Sequence, residues 1–233
     1  MTEIQTFDQI WEEKYRHGHS QRYPWDLVVS FVFRHFPREK AREHVKILEI
    51  GCGTGSNLWF AAREGFQVAG IDGSSSAIAY AKERFSQENL EGEFLVGDFT
   101  QLPFDNDTFD LVIDRGSLTC CGFSAAQRAV NEVFRVLQFG GKFLSNPYSD
   151  RHSSYRSGKI AEDGLVTDIA QGSLQGVGQI CFYGKRDVEN LFTQGWNLLS
   201  LQHLELTEQL EPKVLIHAEW RAIAEKLTQP NFL

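Results

Sequence analysis

Between residues 45 and 148, short apolar runs alternate with longer runs whose apolar positions recur every three or four residues. The short runs predict strands, and the longer runs predict amphipathic helices. Regular alternation of strands and helices is typical of a parallel sheet that is covered by helices. The predicted strands cover residues 45–50, 67–71, 93–96, 109–113 and 142–145.

Glycines interrupt the pattern where the first predicted strand ends. Gly51, Gly53 and Gly55 turn this strand into a helix over residues 56–64. Gly65 follows that helix and fits the C′ position, where a left-handed residue ends the helix. Three glycines within five residues weaken both a strand and a helix, so we expect them to let the backbone approach a ligand.

Polar residues mark the starts of two further helices. Ser74 or Ser75 can cap the helix that follows the second strand. Ser124 with Gln127 fits a capping box, and residues 139–141 are expected to end the helix that this box begins.

The segments outside this core have different patterns. The N-terminal residues contain two stretches with helical spacing around a loop rich in aromatic side chains. A polar stretch rich in Gly and Ser follows the fifth strand and lacks strong periodicity, which is typical of an insertion or an active-site lid. One helix and two closing strands, at 196–206 and 214–224, are predicted after it. We therefore expect a single domain over 1–233, with a helical cap (1–40), a core (41–148), a lid insertion (149–180) and a C-terminal helix with antiparallel strands (181–233).

The composition disfavours several classes of protein. The 233 residues carry 23 Lys and Arg against 31 Asp and Glu, and the net charge of −8 disfavours nucleic acid and anionic membranes as partners. Residues 1–15 lack the basic start and apolar stretch of a signal peptide, and no apolar run approaches the length of a membrane helix. The four Cys residues show no CxxC spacing, so we expect a reduced, cytoplasmic protein without disulfides or a metal site.

The first strand ends in a motif that brings an acid to the glycine turn. Glu49 precedes Gly51, Gly53 and Gly55, at the strand end where open α/β sheets bind ligands. The GxGxG spacing differs from the GxGxxG of dinucleotide-binding proteins, because Ser56 takes the place of the third glycine. An acid beside a pyrophosphate would repel it, whereas an acid beside a sulfonium and an ammonium group is compatible with their charge.

Further motifs stand at the next three strand ends: Asp72, Gly97-Asp98 and Asp114. In this order, and with ExGxGxG before them, they resemble the class I S-adenosylmethionine-dependent methyltransferases. The resemblance is close over residues 39–148 and looser over the last two strands. It implies a Rossmann-like α/β fold with a seven-stranded, mostly parallel sheet and helices on both faces. It also implies S-adenosylmethionine as the cofactor.

The resemblance carries an implied cofactor site with it. Asp72 would accept hydrogen bonds from both ribose hydroxyls, and Asp98 would accept one from the adenine amine, beside the ring of Phe99. Tyr15 would reach the cofactor carboxylate. The implied cofactor-binding residues are Glu49, Gly51, Cys52, Gly53, Gly55, Asp72, Gly73, Ser74, Asp98, Phe99, Asp114, Arg115 and Tyr15.

The residues themselves leave simpler roles open for some of these positions. Asp72 could cap the helix that follows it, and Asp98 could stabilise a turn. Asp114 and Arg115 could form a partly buried ion pair.

Candidate residues for the methyl acceptor lie on both sides of the core. Tyr148 and His152, after the fifth strand, are the candidate catalytic residues. His152 has a suitable unperturbed pKa for a base, and it also fits a solvated loop histidine. Aromatic residues of the N-terminal loop would close over the cofactor as a lid. The candidate substrate-binding residues are Trp25, Arg22, Tyr155 and Tyr183.

The implied reaction is in-line transfer of a methyl group from S-adenosylmethionine to oxygen or nitrogen of a small molecule. We expect an enclosed acceptor pocket between the cap and the insertion, which favours a small molecule. A macromolecular acceptor is the alternative, and a non-catalytic S-adenosylmethionine-binding regulator is a further alternative. An NAD-linked oxidoreductase would need the missing third glycine and a proton donor that the sequence does not offer. The identity of the acceptor and the oligomeric state stay open.

Overall fold

The computed structural model describes residues 6–210 and 215–227 of the chain. Its α-helices are α1 (Ile10–Arg16), α2 (Asp26–His35), α3 (Ser56–Arg63), α4 (Ser75–Gln87), α5 (Phe123–Val136) and α6 (Lys185–Leu191). Its strands are β1 (Lys46–Ile50), β2 (Gln67–Asp72), β3 (Glu93–Val96), β4 (Phe109–Asp114), β5 (Leu137–Ser145), β6 (Lys159–Ile160), β7 (Leu165–Thr167), β8 (Ile180–Cys181), β9 (Trp196–Thr207) and β10 (Ile216–Lys226). None of these helices has the length and apolar character of a membrane span.

Seven strands form one sheet in the order β3-β2-β1-β4-β5-β10-β9. The first five strands are mutually parallel, and β10 runs antiparallel to both β5 and β9. Ile50 lies opposite Ile71 on one side and Asp114 on the other, so the carboxyl ends of β1, β2 and β4 meet at one sheet edge. The predicted seven-stranded, mostly parallel sheet is confirmed. The predicted start of the last strand at Val214 lies outside the described residues.

Helices cover both faces of this sheet, as predicted. In β4, Leu111 and Ile113 pack with α2, α3 and α4, whereas Val112 between them packs with α5 on the other face. These strands have apolar side chains on both faces, which is why they form continuous apolar runs in the sequence.

The predicted glycine end of α3 is confirmed. Gly65 has φ +88°, and the N–H of Phe66 donates to the carbonyl of Ala61 at 3.1 Å, which completes a Schellman motif. The next helix begins with a side-chain cap, because the Ser74 Oγ accepts from the N–H of Ala77 at 3.1 Å.

The predicted capping box at the start of α5 is wrong. This helix begins at Phe123, and its N-cap Gly122 has no capping side chain. The carboxylate of Asp163, from the insertion, instead accepts from the Ser124 N–H and Oγ, each at 3.0 Å. A side chain 39 residues away therefore satisfies the helix end, which local spacing cannot reveal.

The residues expected to end α5 belong instead to the next strand. The helix ends at Val136 and β5 begins at Leu137. The pairing with β4 shifts between Phe109 and Leu111, and Gly140 takes φ +77° in the irregular part of β5. A β-bulge accounts for these glycines better than a helix stop.

The insertion is more regular than its composition predicts. β6, β7 and β8 form a small antiparallel sheet, and β8 crosses the predicted boundary at residue 180. Val166, Ile169 and Leu174 pack with Ile180 and Phe182 in a separate apolar cluster. Strands of two or three residues are too short to produce a periodic signal, so they escaped prediction.

Replacing Asp163 with Ala should lower the free energy of unfolding by about 1 kcal/mol more than replacing Asp168 with Ala. Both aspartates have positive φ, 54° and 52°, so both replacements carry the same backbone strain. Asp163 binds the start of α5, whereas Asp168 makes an exposed ion pair with Lys159, which contributes little. Denaturant unfolding of the two variants measures the difference, and equal losses would contradict the capping role.

Candidate functional site

Two adjoining cavities open at the sheet edge where β1, β2 and β4 end. The smaller, of about 110 Å³, lies beside the end of β2 and the first described residues of the chain. The larger, of about 330 Å³, lies between the end of β1, the start of α2 and the insertion. Six residues border both cavities and so lie where they meet: Trp11, Tyr15, Gly51, Arg115, Gly116 and Cys120.

The Asp72 carboxylate joins two loops of the cleft. One of its oxygens accepts from the N–H of Gly53, and the other accepts from the N–H of Ser74, each at 2.8 Å. The side chain is 7% exposed and borders the smaller cavity. Burial raises its pKa, which the two backbone hydrogen bonds counteract.

Glu49 lies beneath the larger cavity with one oxygen unsatisfied. Its Oε1 accepts from Asn57 Nδ2 at 2.6 Å, whereas its buried Oε2 has no hydrogen-bond partner among the described residues. Burial, opposed by the hydrogen bond from Asn57, raises the pKa of Glu49 to about 8. A buried carboxyl in this state is ready to ionise when a cation arrives.

The glycine turn requires its glycines because its φ angles are positive and its neighbours are close. Gly51 and Gly53 have φ +63° and +51°. A Cβ on Gly51 would lie 2.2 Å from the Ser117 Cβ, and one on Gly53 would lie 2.6 Å from the Tyr15 hydroxyl oxygen. The turn is thus packed between the loop after β4 and the N-terminal cap.

The first described residues fold over the smaller cavity. The Thr6 hydroxyl donates to Asp98 at 2.7 Å, and the ring of Phe7 lies against Gly73, where a Cβ would be 2.3 Å away. In α1, Glu12 accepts from the Ser74 and Ser76 hydroxyls at 2.5 and 2.6 Å, and these bonds hold its pKa at about 2. The cap is therefore bound to the start of α4 and closes this side of the cleft.

Arg115 forms a cationic part of the wall of both cavities. Its guanidinium carbon lies 4.1 Å from the centre of the Trp25 ring. One of its nitrogens lies 3.5 Å from an oxygen of the buried Glu219. Trp25 is itself held in place, because its backbone N–H donates to Asn57 Oδ1 at 3.0 Å.

His19 borders the larger cavity and was missed by sequence reasoning. Gly18 has φ +88°, its N–H donates to the Tyr15 carbonyl, and the His19 N–H donates to the Lys14 carbonyl, each at 3.0 Å. This Schellman motif brings the imidazole within 5.5 Å of the Tyr15 ring and 5.9 Å of the Trp11 ring, centre to centre. Burial, aided by the charge of Lys14, lowers the pKa of His19.

Cys120 lies at the junction of the two cavities. Its Sγ is 3.8 Å from the Gly116 carbonyl oxygen. Burial raises the pKa of this thiol to about 12. The Cys120-Cys121 pair in the sequence does not indicate that Cys120 borders the two cavities.

Several predicted cofactor residues have side chains that do not reach either cavity. Asp114 is fully buried and accepts from the Ser117 N–H and Oγ and from the Ser145 Oγ, at 2.8, 2.6 and 3.1 Å. Its carboxylate stabilises the turn after β4, and burial raises its pKa. Ser74 serves as the helix cap described above, and Gly55 packs against Ala81 and Phe94. Asp98 is exposed and accepts from Thr6 and Thr100.

The candidate base His152 is a buried structural residue and does not border the cavities. Its Nδ1 accepts from the Ser154 N–H at 3.0 Å, so Nε2 carries the proton and lies 3.2 Å from the Ser173 Oγ. Burial, with the nearby His217, lowers its pKa to about 4. Tyr148 does border the larger cavity, and burial raises its pKa.

Three of the four candidate substrate residues lie elsewhere. Tyr155 packs on Phe182 in the insertion, with ring centres 5.3 Å apart. Tyr183 is fully buried, and its hydroxyl donates to the Leu118 carbonyl. Arg22 borders a separate surface pocket. Of this group, only Trp25 borders the larger cavity.

The cleft thus combines predicted and unpredicted residues. The predicted residues that border it are Tyr15, Trp25, Glu49, Gly51, Cys52, Gly53, Asp72, Gly73, Phe99, Arg115 and Tyr148. The unpredicted ones include Asn57, in the first turn of the helix after the glycine motif, and four residues of the insertion (Ser173, Leu174, Val177 and Ile180). The helical position of Asn57 after the glycines was the available signal for it.

The chain is similar to several known methyltransferases. Residues 47–141 match the model of a methyltransferase domain. Over 58% of its length the chain is 32% identical to phthiotriol/phenolphthiotriol dimycocerosates methyltransferase of Mycobacterium leprae. Over 69% of its length it is 27% identical to the eEF1A lysine and N-terminal methyltransferase of Bos taurus. The matches cover 46% and 24% of these two relatives, so the chain spans less than half of either.

A solved structure extends the likeness to nearly the whole fold. A SAM-dependent methyltransferase from Methanosarcina mazei superposes with a TM-score of 0.70, at 22% identity, over 89% of this chain and 100% of that one. At this identity the likeness establishes the fold.

The buried His152 should make folding stability fall in mild acid. Because its pKa is about 4 in the folded chain and about 6.5 when unfolded, the unfolded state takes up the proton first. Above pH 6.5 the titration of His152 does not change the free energy of unfolding. As the pH decreases from 6.5 to about 4, this titration lowers the free energy of unfolding by roughly 2 to 3 kcal/mol. Urea unfolding between pH 7 and 4 should show a shallower decline for His152→Gln than for the exposed control His44→Gln. Parallel declines would contradict this role.

Proposed function

We propose that the chain is a class I S-adenosylmethionine-dependent methyltransferase that transfers the methyl group of S-adenosylmethionine to an oxygen or nitrogen atom of a small molecule. The match of residues 47–141 to a methyltransferase domain and the fold shared with a SAM-dependent methyltransferase support this proposal. The family's cofactor is S-adenosylmethionine. The cleft residues suit this cofactor group by group.

The observation that carries the proposal is the unsatisfied carboxyl of Glu49. A buried polar atom without a hydrogen-bond partner costs about 1 to 3 kcal/mol, and the Glu49 Oε2 is such an atom among the described residues. S-adenosylmethionine carries an ammonium and a sulfonium group, whose positive charge would offset this cost. The left-handed turn at Gly51 and Gly53 brings backbone rather than side chains to the same cavity.

The residues of the smaller cavity suit a nucleoside. Each Asp72 oxygen uses one lone pair for a backbone N–H and keeps another, with which it can accept from a ribose hydroxyl. Phe99 offers an almost fully buried ring to the adenine. Thr6 and Phe7 border the same cavity, with the Phe7 ring beside Gly73.

When bound, the cofactor supplies a methyl group on a positively charged sulfur, which a nucleophile displaces in line. The chain's own residues contribute alignment and exclusion of water, which are worth up to about 7 to 11 kcal/mol when the geometry is good. The side chains of Trp11 and Tyr15 line both cavities on the cap side. An O–H or N–H acceptor must also lose a proton. His19, whose lowered pKa keeps it neutral at pH 7, is the imidazole that borders the larger cavity and can accept it.

The shape of the larger cavity favours a small acceptor. Its volume of about 330 Å³ is within the range of small-molecule sites. Trp25 from the cap and Leu174 from the insertion both border it. A protein acceptor, as in the name of the bovine relative, would have to present a single side chain through the mouth of this cavity.

The purified chain should form S-adenosylhomocysteine from S-adenosylmethionine in the presence of an acceptor from a panel of small phenols, alcohols and amines, as measured by mass spectrometry. Asp72→Ala should weaken cofactor binding about thirtyfold, because a ribose hydroxyl loses its buried partner. The exposed Asp105→Ala is the matched control and should bind as the parent chain does.

Three outcomes would contradict this proposal. Binding of NADH but not of S-adenosylmethionine by calorimetry would favour an oxidoreductase. Methylation of proteins in a cell extract, but of no small molecule, would favour a macromolecular acceptor. Cofactor binding without any methyl transfer would favour a regulator.

Cofactor binding should release a proton from Glu49. With a pKa of about 8 this carboxyl is mostly protonated at pH 7, and a bound cation would lower the pKa and drive the proton off. Calorimetric titration at pH 7 in two buffers with different ionisation enthalpies should report a release of close to one proton, with affinity rising towards pH 8. Glu49→Gln should abolish the release, and an unchanged release would assign it to another group.

A further inference from the structure

Arg115 has more hydrogen-bonding capacity than its surroundings use. Its side chain is 10% exposed and borders both cavities. A guanidinium has five N–H donors. Its ion-pair contact with Glu219 is 3.5 Å long, whereas a charged hydrogen bond is typically 2.7 to 2.9 Å, and the Tyr148 hydroxyl, which it also approaches, can use one donor. A nine-tenths buried cation with spare donors at a cavity wall is suited to an anionic ligand.

Glu219 does not cancel the charge of Arg115, because it is shared among several partners. Its carboxylate accepts from Arg221 Nε at 2.8 Å and lies 3.4 Å from His217 Nε2. Arg221 and Arg115 together carry two positive charges against the single negative charge of Glu219. Burial opposes ionisation of Glu219, but His217 and the two arginines outweigh it and hold its pKa at about 2.

The guanidinium is also held in place before any ligand arrives. It stacks on Trp25, whose N–H is bound by Asn57, and Asn57 in turn donates to Glu49. The ion pair with Glu219 is a second, longer contact. A positioned guanidinium loses little entropy when it binds a planar group with two acceptor oxygens.

The rest of the larger cavity is mixed, with an apolar side. Leu174, Val177 and Ile180 from the insertion and Trp25 from the cap supply aliphatic and aromatic surface. Among the described residues, Arg115 is the only Lys or Arg that borders this cavity. A ligand that satisfies both features has an apolar body and one acid group.

We propose that Arg115 binds the carboxylate of the methyl acceptor, which makes the acceptor a small carboxylic acid with an apolar body. This inference rests on the function proposed above. The carboxylate is the anchor, and a separate O–H or N–H group of the acceptor receives the methyl group. In that transfer the new bond forms from oxygen or nitrogen to the methyl carbon, the electron pair of the broken C–S bond stays on sulfur, and the acceptor's proton leaves to a base.

The test compares acids with their amides on the chain loaded with S-adenosylhomocysteine. Phenylacetate, 4-hydroxybenzoate and octanoate, each with its amide, are the probes, and calorimetry or ligand-detected NMR measures binding. At least one acid should bind tenfold or more tightly than its amide. Arg115→Met, which keeps an apolar contact with Trp25, should reduce this ratio to less than threefold. Arg115→Lys should give an intermediate ratio, because it keeps the charge but loses the two-pronged geometry.

Controls separate this inference from the function on which it rests. The exposed Arg128→Met, on α5, should keep the parent ratio. Folding of Arg115→Met is checked by thermal unfolding; Glu219 keeps Arg221 and His217 as partners in this variant. Should it not fold, the parent chain and Arg115→Lys still decide the question.

Three results would overturn the inference. One is that no acid binds more tightly than its amide. Another is that Arg115→Met weakens the binding of S-adenosylhomocysteine tenfold but leaves the binding of 5′-methylthioadenosine, which lacks the carboxylate, unchanged. This result would assign Arg115 to the cofactor's own carboxylate. The third is a chain that fails to bind S-adenosylhomocysteine at all, which removes the proposed function as well and is seen before any acid is added.

Discussion

The cleft keeps its shape through the two hydrogen bonds that the Asp72 carboxylate accepts from separate loops. One bond holds the turn after β1 at Gly53, and the other holds the start of α4 at Ser74. Parallel pairing brings these strand ends to one edge, but only a shared side chain fixes the distance between their loops. The cap depends on the same point, because Glu12 binds the Ser74 hydroxyl and so adds α1 to the assembly.

Most of the fold could be predicted because its strands are buried on both faces and their ends carry glycine or acid. Where prediction failed, the determining partner is distant in sequence or the element is too short. Asp163 caps a helix that begins 40 residues earlier, and the strands of the insertion have two or three residues. The bulge at Gly140 depends on the pairing of β5 with β4. In the sequence, the adjacent glycines look the same whether they form a bulge or end a helix.

The residues of the candidate site could be predicted where a backbone motif brings them to the cleft. They could not be predicted where the direction of a side chain determines whether it reaches the cleft. Strand-end position correctly brought Glu49 and Asp72 to the cleft, since every such end faces the same edge. The same reasoning misplaced the Asp114 side chain, which turns back to bind the next turn of chain. His152 was chosen for its chemistry, but burial suppresses that chemistry, whereas His19 depends on a left-handed residue just before it.

The thiol at the junction of the two cavities poses a hazard of self-alkylation. Cys120 lies beside the space in which a strong methyl donor would be held, and a thiolate there would compete with the acceptor. Burial raises the pKa of this thiol to about 12, so it stays protonated at pH 7. Burial of the thiol therefore disfavours this side reaction.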